Sequence, residues 1–156
     1  MVLERLLGWL FTIGLLLIPG AVATVAWTPL LASSRFRSLF EHLPPFDSLV
    51  VTYPLYGLAG SVPYVVGVGV VIALAGENGI WGPPILGMTL LVSVAYVIGL
   101  PILGALVLPR VGVDWDPNGY GLGTWALLAI GGFWYALIFA IPLVVLGIVL
   151  SLPGGW

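Results

Sequence analysis

The chain has 156 residues, of which 61% are hydrophobic and 6% charged, with a net charge of −2. A soluble domain is roughly 45–50% apolar and about 25% charged, so ten ionised side chains are too few to coat this one in water, and lipid is the expected outer solvent. The charges form no basic stripe, which argues against nucleic acid; cysteine is absent, and one histidine, His42, excludes a multi-histidine metal centre.

The charges fall in five places: Glu4–Arg5, Arg35 to Asp47, Glu77, Arg110, and Asp114 with Asp116. Between them lie uncharged runs at 6–34, 48–76, 78–109 and 117–156. A helix needs about 20 apolar residues to cross the hydrocarbon core. The expected fold is therefore all-α: a single transmembrane domain over residues 1–156, an integral membrane bundle of four transmembrane helices at 6–31, 49–75, 85–108 and 123–151. Prolines 19, 54, 63, 101 and 142 fall inside these spans and predict kinks. The first span contains Ala21-Val22-Ala23, which mimics a signal-peptide cleavage site, but the apolar run continues to Leu31 and reads as an ordinary span.

After the first span, Phe36, Leu39, Phe40 and Leu43 recur at helical spacing, while Arg35, Arg37, Glu41 and His42 take other faces. Pro44-Pro45 ends the pattern. This predicts a short amphipathic helix over 34–43 that lies in the membrane interface, or packs its apolar face on the span ends. Glu41, His42 and Asp47 form the chain's sole acid/base cluster, with Ser38 and Ser48 nearby. Nothing in their spacing imposes a catalytic geometry, so they read as a solvated loop face, with Asp47 as the helix cap of span two.

In the second span Thr52, Tyr56, Gly60 and Tyr64 recur every four residues as a semi-polar stripe. The stretch 57–63 reads either as an unwound segment lining a solute path or as a kinked helix packed through its small residues, and the second reading is preferred. Between the second and third spans, Asn78-Gly79 and Pro83-Pro84 predict a tight turn, with Trp81 as an interfacial anchor. In the third loop Asp114, Asp116 and Asn118 precede Gly119, matching the first half of a calcium loop. The twelfth position is Trp125, where a bidentate glutamate belongs, so an ordinary type I turn over Asp116-Pro117-Asn118-Gly119 is the preferred reading. In the fourth span Gly132, Ala136 and Ala140 make a small-residue face suited to close helix approach, within the chain or between chains.

The segment Val113-Asp114-Trp115-Asp116-Pro117-Asn118, running into an apolar span at 122–150, resembles small multi-pass membrane proteins of halophilic archaea. The resemblance implies membrane location and span layout, not activity.

None of the charges falls mid-span, where proton relays, ion pathways and membrane catalysis place theirs. The expectation is a non-enzymatic, cofactor-free protein of the cell membrane: a helix-packing accessory or scaffold subunit whose partners are the bilayer and a second copy or a larger membrane complex. The alternative is a channel or facilitator for a small neutral solute. The loops after spans one and three carry Arg35, Arg37 and Arg110, against Arg5 on the other side, which predicts both termini outside.

Overall fold

The computed structural model of the chain describes residues 2–76 and 79–153. Its first helix, α1, runs Val2–Trp27 through Pro19 and continues as a 3-10 turn, Thr28–Ala32. The short helix α2 covers Ser34–His42. The second apolar stretch forms two helices, α3 (Leu49–Ala59) and α4 (Val62–Ala75). Helix α5 (Gly82–Pro101) passes into a π-helical segment, Ile102–Val107, and a last turn, α6 (Leu108–Arg110). Helix α7 runs Leu122–Val149. Among the described residues there is no strand. Among the described residues three helical stretches are long and apolar enough to cross a membrane: Leu49–Ala75, Gly82–Arg110 and Leu122–Val149; a shorter apolar stretch, Leu17–Ala32, closes the first helix. Glu77 and Asn78, in the turn expected before α5, lie outside the described residues, but Gly76 takes a left-handed φ of 69° and its carbonyl accepts the Trp81 indole N–H at 3.0 Å.

Apolar side chains all round a helix do not specify which face meets a neighbour, so glycines do much of the choosing. Helices α5 and α7 pack antiparallel over their length. A Cβ on Gly132 would strike the Tyr96 carbonyl oxygen and lie 2.9 Å from its carbon and 3.3 Å from Val97 Cα. At one end of the seam a Cβ on Gly147 would lie 2.8 Å from Leu86, and at the other a Cβ on Gly104 would lie 2.6 Å from Leu128. On the opposite side α1 packs antiparallel on α3: the side chain of Thr24 fills the space over Gly57, and Gly20 faces Ser61. Helix α4 instead packs on α5, with Gly67 against Met88. The two halves of the second stretch therefore lean on different neighbours.

The apolar face of α2 is turned onto the bundle rather than outward. Phe36, Leu39, Phe40 and Leu43 are all buried. Phe36 and Phe40 meet Trp27 edge-on at centroid distances of 5.0 and 5.6 Å, and Trp27 also meets Tyr135 at 5.1 Å. Trp27 donates its indole N–H to the Gly131 carbonyl at 3.0 Å, tying the end of α1 to α7. At the start of α3 the cap position is Ser48, not Asp47, and it makes no side-chain cap hydrogen bond.

Candidate functional site

The break between α3 and α4 organises the interior. Proline 63 has no N–H and cannot continue the α-helical ladder. The chain answers by tightening: Ser61 N–H donates to Leu58 O at 3.0 Å, and Tyr64 N–H to Ser61 O at 3.1 Å. In an uninterrupted helix those two donors would satisfy Gly57 O and Gly60 O. Both carbonyls are taken instead by tyrosines from other helices. Tyr135 of α7 donates its hydroxyl to Gly57 O at 2.6 Å, and Tyr96 of α5 donates to Gly60 O. A buried carbonyl without a partner costs about 1–3 kcal/mol, so the two phenols convert a chain break into a fixed joint. Their rings stack at 5.4 Å, and a Cβ on Gly60 would strike the Tyr135 ring, which is why this position is glycine.

The semi-polar stripe is committed to the same end. Thr52 donates to Phe46 O at 2.7 Å, Tyr56 to Pro44 O at 2.7 Å, and Tyr64 hydrogen-bonds Ser93 at 3.0 Å. Thr52 and Tyr64 are fully buried, whereas Tyr56 is partly exposed. On α7, Gly132 and Ala136 are buried and Ala140 half-buried.

Because α3 leans on α1 while α4 leans on α5, a wedge opens between α3 and the C-terminal half of α5. It is a cavity of about 590 Å³, floored by the apolar face of α2 and backed by Leu128 and Tyr135 of α7. Its wall is almost wholly hydrocarbon. The four wall side chains that carry a polar donor, Trp27, Tyr56, Tyr96 and Tyr135, each donate it to a backbone carbonyl. Sequence reasoning singled out Tyr56, Gly60 and their stripe but missed the cavity, which no local pattern announces.

Below the wedge the third loop clamps the π segment. Trp115, fully buried, donates its indole N–H to Gly104 O at 2.8 Å, meeting a carbonyl inside the segment where the i→i+4 register shifts. Gly112 ends α6 with φ 89°, with Gly112 N–H to Pro109 O at 3.2 Å and Val113 N–H to Leu108 O at 2.9 Å, the paired bonds of a Schellman motif. The expected type I turn is present, with Gly119 N–H to Asp116 O at 3.1 Å.

Of the candidate calcium ligands, the two aspartates accept hydrogen bonds from protein donors, and Asn118 takes part through its backbone N–H. Asp116 accepts Thr124 Oγ1 at 2.5 Å on one oxygen and Asn118 N–H at 3.0 Å on the other, with Arg35 Nε 3.8 Å away. Asp114 accepts the Tyr120 hydroxyl at 2.6 Å. Burial, then that bond to Asp114, pushes the Tyr120 phenol above its ordinary value of 10, keeping it a donor at neutral pH. Among the described residues no group of three metal-binding side chains comes together. Thr124 lies in the first turn of α7, so Asp116 also offers a negative charge to that helix's N-terminal dipole. Replacing Asp116 with alanine should cost about 2 kcal/mol, the scale for hydrogen bonds to a charged group. Limited proteolysis should then cut residues 111–121 faster than in the wild type, while Asp114→Ala, at an exposed carboxylate, should change the rate little.

Of the acid/base cluster, Glu41, His42 and Asp47 are all exposed. His42 Nδ1 lies 2.8 Å from Ser38 O, and Ser38 Oγ donates to Trp115 O at 2.5 Å, joining α2 to the third loop. The arrangement is a structural latch: Ser38 Oγ also lies 3.5 Å from His42 Nδ1, but it gives its proton to Trp115 O.

A family match covers residues 7–154. The chain belongs to the family described as Domain of unknown function (DUF8162). No curated protein and no solved structure matches it. The matched range takes in the broken helix, the clamp and the cavity of this DUF8162 chain.

Proposed function

We propose that this protein is a four-span, multi-pass protein of the cell membrane that acts by helix association, as an accessory or scaffold subunit, and not as an enzyme. Helix α1 is the fourth span: its 26 residues make a rod of about 39 Å at about 1.5 Å per residue, longer than the hydrocarbon core of about 30 Å. Four alternating crossings put α2 and the third loop on one side, consistent with their mutual contacts, and both termini on the other. The arginine count makes the first side cytoplasmic.

The observation that carries the reading is the state of the polar groups. Among the described residues, no buried side-chain nitrogen or oxygen lacks a hydrogen-bond partner. A solute path needs groups that exchange partners with the solute, and the stripe's hydroxyls hold protein atoms instead. Several small residues face outward, two of them on the packed pair α4 and α5. Gly69 on α4 and Gly87 on α5 are exposed, and a Cβ on either would meet nothing within 4 Å. Such positions let another chain's helix approach closely.

Gly87→Leu should leave the thermal midpoint of the solubilised protein within about 0.5 kcal/mol of wild type, as for surface substitutions, and dissociate its complex on blue-native electrophoresis. A clean wild-type monomer in several mild detergents would count against the reading. Solute flux into proteoliposomes above that of empty vesicles would favour the neutral-solute facilitator instead.

A further inference from the structure

We propose that the wedge between α3 and α5 is a binding site for one hydrocarbon chain of a bilayer lipid. The cavity's volume of about 590 Å³ falls within the roughly 300–1,000 Å³ of ordinary ligand sites, so it is no packing defect. Its wall offers a ligand no free side-chain donor, because each donor-bearing side chain in it already holds a carbonyl. Water gains nothing there, since a water molecule needs two to four polar partners. Left empty, the aromatic and aliphatic wall would forfeit its dispersion contacts on one side. The occupant must therefore be hydrocarbon.

The opening says where that hydrocarbon comes from. The wall residues that are exposed are Tyr56, Ala59 and Pro63 on one side, Ala95 and Leu103 on the other, and Pro44 just past the end of α2. All but Pro44 sit within the two stretches Leu49–Ala75 and Gly82–Arg110, each long and apolar enough to cross a membrane. The mouth is thus continuous with exposed apolar surface, including Val62 and Val66 beside Pro63 and Ile102 beside Leu103. It opens sideways into the acyl region, where lipid chains are the solvent. The floor is α2, whose opposite face carries the exposed Arg37 and His42, so a chain in the wedge runs beneath the polar boundary of the bundle.

Gly99 supplies the test. It lies in the wall, and a Cβ there would meet nothing within 4 Å. A larger side chain at this position grows into the cavity without disturbing a helix contact. The full-length protein is reconstituted in phosphatidylcholine–phosphatidylglycerol vesicles containing a phospholipid with a photoactivatable diazirine on its acyl chain, and cross-links are mapped by mass spectrometry. The wild type should be labelled at Phe40 and Leu128, which are buried residues of the wall. Gly99→Leu should reduce labelling at both by about tenfold, equivalent to a tenfold loss in affinity, and leave labelling at the outward Leu90 and Leu91 unchanged. Ala95→Phe, at the mouth, should do the same and serves if the first variant does not fold. Wall labelling that survives both substitutions, or never exceeds that of buried residues away from the wedge such as Ile85, would overturn the proposal. So would cross-links joining the wall to another polypeptide, which would assign the wedge to a protein partner.

Discussion

Gly132→Leu should be the most damaging single substitution in the bundle. The α5–α7 seam is the most extensive helix contact in the molecule, and at Gly132 it brings backbone against backbone. A Cβ there meets the Tyr96 carbonyl and Val97 Cα, not the movable end of a side chain. Neither helix can relieve the clash by a rotamer change; one must be displaced along its length. Overpacking of a well-packed contact costs about 1–3 kcal/mol, and the backbone contact places this case at about 3 kcal/mol. Even Gly132→Ala should be destabilising. Thermal unfolding of the purified protein in one detergent measures both, and a Gly132→Leu midpoint equal to that of wild type would show that the seam does not hold the bundle together.

The second large effect is expected at the joint in the second span. Tyr135→Phe and Tyr96→Phe keep the rings, and hence the stacking at 5.4 Å, and remove only the hydroxyls that satisfy Gly57 O and Gly60 O. Each should cost about 1–2 kcal/mol, combining the lost hydrogen bond with a carbonyl left unpaired in an apolar interior. The two act on one joint, so their effects should not be additive. Once both carbonyls are free the α3–α4 corner can refold its hydrogen bonds, and the double variant should show faster amide exchange at Gly60 and Ser61 than either single one. Unchanged exchange in the double variant would mean that Pro63 and the tightened turn hold the joint alone.

Much of this architecture was legible before any helix was placed. Charge-free runs separated by short charged segments marked out the apolar stretches, because each buried charge in lipid is costly. The spacing of Phe36, Leu39, Phe40 and Leu43 marked the face of α2 that the fold buries. Asp116-Pro117-Asn118-Gly119 marked its turn. Of the five prolines expected to kink the spans, Pro63 sits where the second stretch divides and Pro101 is followed by a π segment, while Pro19, Pro54 and Pro142 stay inside α1, α3 and α7. A proline removes a donor in every case, and what happens next depends on which groups elsewhere can take the freed carbonyl.

That dependence divides what the sequence determined from what only the tertiary structure decided. Hydropathy, helical period and turn chemistry are local, and they set the helical class, the apolar stretches, the amphipathic α2 and the third-loop turn. The stitches across the break come from 36 and 78 residues away, and a helix apolar on every side carries no mark of which face will meet them. The direction in which each half of the broken stretch leans, and so the existence of a wedge at all, follows from where Gly57 meets Thr24 and Gly67 meets Met88. Those are contacts of shape, fixed only when all the helices are packed at once. The same apolar composition that makes three stretches able to cross a membrane therefore left the cavity invisible until the helices were assembled around it.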